Sequence, residues 1–119
     1  MEKMRLGVVE ARFADIVWAN APMRTRDLVK LCADELGWAR TTTYTVLKKL
    51  CDRGLYCMDN AHVTVLMTKD EFNAICSEQF VDSAFEGSLP AFIAAFATRK
   101  KPTAEEIAEI HRMIDSFGE

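Results

Sequence analysis

Two helix patterns separated by a very short connection constrain the fold of this chain more than any other feature. The first, "RDLVKLCADEL", follows Thr25, a residue type suited to cap a helix, and stops at Gly37. The second runs from about Arg40 to Arg53 and is closed by Gly54. Two helices joined by so tight a turn predict a helix-turn-helix, in which the second helix presents its outer face to a partner.

The outer face of that second helix is rich in hydroxyl groups and lysines. Helical spacing turns Thr43, Val46, Leu47 and Leu50 inward and leaves outside Thr41, Tyr44 or Thr45, Lys48 and Asp52, with Lys49 beside them. β-Branched residues begin a helix poorly, so this surface points to a role other than helix stability. Threonine can contact base edges, while Lys48, Lys49 and Arg53 can contact phosphates. The alternative is an ordinary solvated surface.

The flanking segments complete a winged helix. "VVEARFADIVWAN" has apolar residues at helical spacing and is stopped by Pro22. "LYCMDNAHVTVLM" predicts two short strands around an Asp-Asn turn, and "MR" at 23–24 offers a third strand. Residues 1–68 are therefore expected to form a mainly α winged helix-turn-helix domain, with three helices and a small β-hairpin wing.

Residues 69–119 predict three further helices. Thr68 with Glu71, and Thr103 with Glu106, are capping boxes, and Ser88 precedes a helix with proline in its first turn. These helices carry more apolar surface than so small a unit can bury, so a homodimer is expected; the alternative is that they fold back on the winged domain. The residues assigned to dimerisation are Phe80, Phe85, Leu89, Phe92, Ile93, Phe96, Ile107, Ile110, Met113 and Ile114.

Charge is distributed unevenly along the chain. Residues 1–57 hold ten Lys and Arg against seven Asp and Glu, whereas residues 58–119 hold five against eleven. The basic half can face phosphate while the acidic half stays away from it. Double-stranded DNA is the expected partner. A winged-helix module that binds protein rather than DNA is the alternative, favoured by the net charge of −3.

Catalytic and cofactor motifs are absent from the sequence. It lacks GxGxxG, GxxxxGK[ST], HExxH and GxSxG, so neither an enzyme nor a bound cofactor is expected. The four cysteines form no CxxC pair and fit buried thiols; a metal site at Cys51, Cys57 and His62 and a redox-sensing thiol are less favoured alternatives. No apolar run spans a bilayer and no secretory signal begins the chain, which predicts a cytoplasmic protein without membrane insertion.

Several of these segments resemble the penicillinase repressors, a family of winged-helix regulators. "TTYTVLKKLCDRGL" resembles the family's recognition helix, and "EARFADIVWANAPMRTRDLV" is similar to its first two helices. "FVDSAFEGSLPAFIAAFA" and "PTAEEIAEIHRMID" resemble its dimerisation region. The resemblance implies a homodimeric repressor that binds an inverted-repeat operator. The DNA-binding positions it implies are Arg40, Thr41, Thr42, Tyr44, Thr45, Lys48 and Lys49.

The resemblance also implies a route of induction, and the chain departs from the family in two places. A membrane-bound sensor protease often triggers cleavage of such repressors, and the matching bond here joins Ala95 to Phe96, where the family usually has Asn before Phe. The cysteine-rich motif of copper-responsive members is missing after residue 76. The family's wing is longer and rich in Arg or Lys, whereas "CMDNAHVTVLM" contains neither, so few wing-to-phosphate contacts are expected.

Overall fold

The computed structural model describes residues 4–118 and confirms a mainly helical winged helix-turn-helix with a three-stranded wing. The chain forms two compact units, one up to residue 79 and one from residue 80. The first unit therefore includes residues beyond the predicted winged-helix segment 1–68. In chain order the elements are α1 Val8–Asn20, β1 Met23–Arg24, α2 Thr25–Leu36, α3 Arg40–Asp52, β2 Tyr56–Asp59, β3 His62–Val65, α4 Lys69–Phe85, α5 Leu89–Arg99 and α6 Ala104–Phe117.

The wing is an antiparallel sheet with strand order β1-β3-β2. The predicted hairpin is confirmed, and so is the third strand at 23–24, which pairs Met23 with Val63 and Arg24 with His62. Val63, on the central strand, is fully buried. Because successive residues of a strand alternate between faces, one face of the sheet covers the core and the other is open to solvent.

The core of the first unit joins all three helices of the winged helix to the sheet. Two of its polar side chains bond to the backbone inside the unit: the hydroxyl of buried Tyr56 donates to the Ala14 carbonyl (3.1 Å), and the Trp18 indole donates to the Met67 carbonyl (2.9 Å). Each fully buried large apolar side chain contributes about 1.5–3 kcal/mol. The buried apolar residues are Phe13, Ala14, Ile16, Val17, Leu28, Cys32, Leu47, Leu50, Leu55, Tyr56, Val63 and Phe72.

The turn of the helix-turn-helix is fixed by a glycine and a tryptophan. Gly37 ends α2 with φ +68°, a conformation that favours glycine. The Trp38 amide then donates to the Cys32 carbonyl (3.2 Å), and its ring stacks on Phe13 with centroids 5.5 Å apart. The short connection is therefore anchored to both α1 and α2 before α3 begins.

The predicted N-cap role of Thr25 is wrong. Thr25 is the first residue of α2, and Arg24 precedes it as the N-cap without a side-chain cap bond. The Thr25 side chain is buried, and its amide and hydroxyl both approach the Ala61 carbonyl, at 3.0 and 3.4 Å. A long-range contact with the wing turn therefore replaces the local cap.

The predicted helix starts after residue 68 are confirmed. Thr68 and Glu71 exchange the two capping-box bonds, and so do Thr103 and Glu106. The Ser88 hydroxyl accepts from the Ala91 amide (3.1 Å). Within residues 4–118, no single helix has both the length and the apolar composition to cross a membrane; α4 and α5 meet these criteria only together, across a sharp bend.

Candidate nucleic-acid interface

The α3 helix separates a buried face from a polar, solvent-facing one. Thr43, Leu47 and Leu50 are buried, and Val46 is half-buried, as predicted for the inward side. Tyr44 is half-buried, while the other residues assigned to DNA lie exposed: Arg40, Thr41, Thr42, Thr45, Lys48 and Lys49. The exposed side chains begin at the N-terminus of the helix, the end that enters the major groove in helix-turn-helix proteins.

Two threonines satisfy part of their hydrogen bonding within the helix. The Thr45 hydroxyl donates to the Thr41 carbonyl (2.9 Å), and the Thr43 hydroxyl donates to the Ala39 carbonyl (3.4 Å). Such bonds to the preceding turn are a known way for threonine to be accommodated in a helix. The Thr45 oxygen keeps acceptor capacity on the exposed face, where it can receive a hydrogen bond from a base amino group.

Arg40 lies over an aromatic ring of the same helix. Its guanidinium carbon is 5.5 Å from the centroid of the Tyr44 ring. A cation held at this distance from an aromatic face is attracted by the ring and loses some of its conformational freedom. Arg40 is therefore a partly ordered cation at the first position of α3, as suits a contact with phosphate or guanine.

The two adjacent lysines have different surroundings. Lys48 is exposed, whereas the Lys49 ammonium lies 2.7 Å from a carboxylate oxygen of Glu10 on α1. The other Glu10 oxygen accepts from the Gly7 amide at 3.0 Å. The bond from Lys49 and then that from Gly7 lower the pKa of Glu10, so the ion pair persists at neutral pH. Sequence reasoning missed Glu10; the only local signal was a carboxylate in the first turn of α1.

Three of the four cysteines lie where burial favours the neutral thiol. Burial is the largest cause of a raised pKa at Cys32, Cys51 and Cys76, so these groups stay protonated at neutral pH. The Cys76 thiol also donates to the Met4 carbonyl. In the described part of the chain, no three His, Cys, Asp or Glu residues form a metal-binding group, and the alternative site at Cys51, Cys57 and His62 is not assembled.

The second unit exposes most of the apolar residues assigned to dimerisation. Phe117, outside that assignment, is 73% exposed, and the side chains from the assignment that are exposed are Phe80, Leu89, Ile93, Phe96, Ile107, Ile110, Met113 and Ile114. Single exposed apolar side chains are ordinary, but a set this large in about forty residues is typical of an interaction surface.

The other two residues assigned to dimerisation are half-buried within the unit. Phe85 and Phe92 contact each other edge-to-face with ring centroids 5.7 Å apart, and Phe80 lies 6.0 Å from each of them. These rings form an aromatic cluster within the second unit. Beside them, Phe92, Phe96, Lys100 and Ile110 help to line an apolar groove of about 250 Å³.

The bond matched to the family's cleavage site lies inside a helix. Ala95 and Phe96 are both exposed and belong to α5, Leu89–Arg99. A protease binds its substrate in an extended form, which an intact helix does not offer. The bond is therefore exposed to solvent, but its helical backbone does not have the extended form that a protease binds.

Comparison with models of known protein families finds a match. The sequence profile described as "Penicillinase repressor" matches residues 6–116, which is nearly the whole chain. No curated protein matches the sequence. The matched range includes the α3 surface and all three C-terminal helices.

Proposed function

The chain belongs to the penicillinase repressor family of DNA-binding transcriptional regulators, and from this premise we propose that it is a homodimeric repressor acting on an inverted-repeat operator. The members of this family are regulators rather than enzymes. The protein would bind promoter DNA and exclude the transcription machinery by occupying the site. We assign the α3 residues Arg40, Thr41, Thr42, Tyr44, Thr45 and Lys48 to DNA contact. Lys49, the seventh residue predicted for this surface, is left out because its ammonium pairs with Glu10.

The observation that carries this proposal is the exposed surface of α3. Hydroxyl groups at Thr41 and Thr42 lie at the start of the helix, and the Lys48 cation lies two turns further on. Threonine hydroxyls and methyl groups can distinguish bases in the major groove, while lysine binds phosphate without regard to sequence. One helix face thus offers both the specific and the non-specific contacts that an operator-binding protein needs.

The exposed apolar residues of the second unit support a homodimer. Such a surface is costly in water and is stabilised when it meets another apolar surface. A second copy of the chain offers the same surface, and twofold pairing is the commonest solution for soluble proteins. A dimer carries two α3 helices, which matches an operator with two half-sites one DNA turn, or a multiple of it, apart.

We also propose induction by proteolysis, which would depend on the unwinding of α5. Cleavage between Ala95 and Phe96 by a membrane-bound sensor protease would require α5 to unwind around this bond. Ala95 stands where the family usually has Asn. We propose a cytoplasmic location, where both promoter DNA and such a sensor's inner side are accessible.

A DNA titration tests the proposed function. Full-length protein is titrated against duplex DNA from the promoter of its own gene and against an unrelated duplex of equal length, at two salt concentrations. We expect tight binding to the promoter that weakens steeply as salt rises. Thr41→Ala should reduce the preference for the promoter, while Lys48→Ala should weaken binding to both duplexes alike and reduce the salt dependence.

The same titration separates the repressor from a protein-binding winged helix. Weak binding that neither salt nor either substitution changes would reject DNA as the partner. In that case the exposed α3 surface would be assigned to a protein partner instead.

A further inference from the structure

We propose that Arg24, on the edge strand β1, binds the DNA backbone beside the tip of the wing and supplies the positive charge that the hairpin lacks. This inference rests on the proposed function, because it names a further contact with the same DNA. Neither the outer face of α3 nor the hairpin sequence contains this residue. The pairing of β1 with β3 brings it to the wing.

The strand register places Arg24 in a row that crosses the whole wing. Arg24 pairs with His62, and His62 pairs on its other side with Asp59. Directly paired residues project to the same face of a sheet. The neighbouring row contains Val63, which is fully buried, so the Arg24 row lies on the opposite, solvent face. All three of its members are exposed.

This row lies at the end of the wing that carries the turn. His62 and Asp59 are the strand residues that flank the turn residues Asn60 and Ala61. The next residue after Arg24, Thr25, donates from its amide and hydroxyl to the Ala61 carbonyl. The backbone at Arg24 is thereby tied to the wing tip, and its guanidinium is carried with it.

Arg24 is the one lysine or arginine within the strands and turn of the wing; the next cation along the chain, Arg26, belongs to α2. The strands "MR", "YCMD" and "HVTV" and the turn between the last two contain no other Lys or Arg. A wing placed against a phosphate backbone without a cation would gain nothing from counterion release. Arginine suits the role because its planar guanidinium can bind a phosphate with two hydrogen bonds.

The carboxylate of Asp59, in the same row, opposes the attraction of Arg24 for a DNA phosphate. Neighbouring strands lie about 4.8 Å apart, so the backbones of Arg24 and Asp59 are separated by roughly 10 Å across His62. An anion at this distance weakens the attraction of a phosphate for the arginine. Substitutions at the two positions should therefore change DNA affinity in opposite directions.

The salt dependence of DNA binding tests this assignment. Full-length wild type, Arg24→Ala and Asp59→Asn are titrated against the same duplex over a range of salt concentrations. Each phosphate contact contributes about 0.9 to the slope of log K against log salt, so Arg24→Ala should reduce the slope by about 2 per dimer. Affinity at 0.15 M salt should fall by roughly fivefold per contact. Asp59→Asn should bind more tightly than wild type.

Two further variants control for charge and for folding. Arg112→Ala removes another exposed arginine, from α6, and should leave the slope unchanged. Arg24→Lys keeps the charge and should retain most of the slope, even if Arg24→Ala also lowers the melting temperature.

The outcomes separate this inference from the function it rests on. If wild type shows no salt-dependent binding, the DNA-binding function itself is wrong. If wild type binds as expected but Arg24→Ala keeps the full slope, only the Arg24 contact is overturned. The same holds if Arg24→Lys loses as much of the slope as Arg24→Ala.

Discussion

At the scale of single residues, Glu10 links two helices that are distant in sequence. One of its oxygens accepts from the Gly7 amide at the start of α1, and the other meets the Lys49 ammonium on α3 at 2.7 Å. The Glu10 side chain is 22% exposed and that of Lys49 58%, so solvent screens the pair in part. The ion pair links α3 to α1 and restricts the motion of the Lys49 side chain.

This pair predicts a pH dependence of stability. The lowered pKa of Glu10, below its ordinary 4.5, means that the folded state favours the charged form. The resulting stabilisation is present above pH 4.5 and is lost as pH falls through the folded-state pKa. Glu10→Gln should therefore lower the free energy of unfolding at pH 7 by up to about 1 kcal/mol. Urea unfolding at pH 7 and pH 3 should show this difference shrinking at the lower pH.

Matched lysine substitutions check the assignment to the ion pair. Lys49→Met keeps the aliphatic stem and should reproduce the effect of Glu10→Gln, whereas Lys48→Met should leave stability unchanged. A difference between wild type and Glu10→Gln that stays constant from pH 7 to pH 3 would contradict the prediction.

Lys48 and Lys49 show that the sequence predicts which residues of α3 are exposed but not which contacts they make. Helical spacing correctly predicted that Thr43 and Leu47 are buried and that Thr41 and Lys48 are exposed, because burial follows the 3.6-residue period. It assigned Lys48 and Lys49 alike to DNA. Only the packing of α1 against α3 brings Glu10 to one of them, and no local pattern encodes that pairing.

At the scale of elements, the wing turn holds a residue in an unfavourable conformation. Asn60 and Ala61 both have positive φ, at +51° and +60°. Asparagine tolerates this region, but alanine does so at a cost of about 1–2 kcal/mol. The bonds from Thr25 to the Ala61 carbonyl help to keep the turn in place.

Ala61→Gly should stabilise the protein. The change creates Asn-Gly, the preferred pair for a two-residue hairpin turn with positive φ at both positions. Part of the gain is offset by the greater freedom of glycine in the unfolded chain, which leaves an increase of up to about 1 kcal/mol in the free energy of unfolding. Urea denaturation measures it. The control Ala33→Gly, at an exposed position of α2, should cost about 1 kcal/mol; equal losses for both variants would contradict the prediction.

Most elements of this fold could be predicted, because their signals are local. Apolar periodicity and capping residues located the helices, and the turn residues located the hairpin. The prediction failed at Thr25, where a residue suited to cap a helix is instead buried against the wing turn. The third strand at 23–24 was predicted, but the charge that Arg24 brings to the wing was missed, because the register that pairs Arg24 with His62 depends on a contact across about forty residues.

At the scale of the whole molecule, the proposed function requires two chains to pair, because an operator with two half-sites needs two α3 helices. The apolar residues of α6 recur along one stripe, and Ile114 is 54% exposed within it. Ile114→Asp should convert a dimer to a monomer, because an ionised carboxylate cannot be buried in an apolar contact without a partner. Sedimentation equilibrium should report the mass of two chains for wild type and of one for the variant.

The matched control for this substitution is an exposed residue of α6 outside the stripe. Ser116→Asp adds the same charge at an exposed residue outside the stripe and should remain dimeric. A wild-type protein with the mass of one chain, or an Ile114→Asp variant that still pairs, would count against the assigned surface.

The core of the first unit has a consequence for how such a repressor could be switched off. Every buried residue of that core lies at or before Phe72, well ahead of the Ala95–Phe96 bond. Cutting the bond would thus leave the winged helix with its whole interior while removing the final helix. Each separated winged-helix domain would keep its affinity for a single half-site. It would lose the high effective concentration at the second half-site that linkage to a partner chain provides. The promoter would be released because avidity is lost, while the winged-helix domain stays folded.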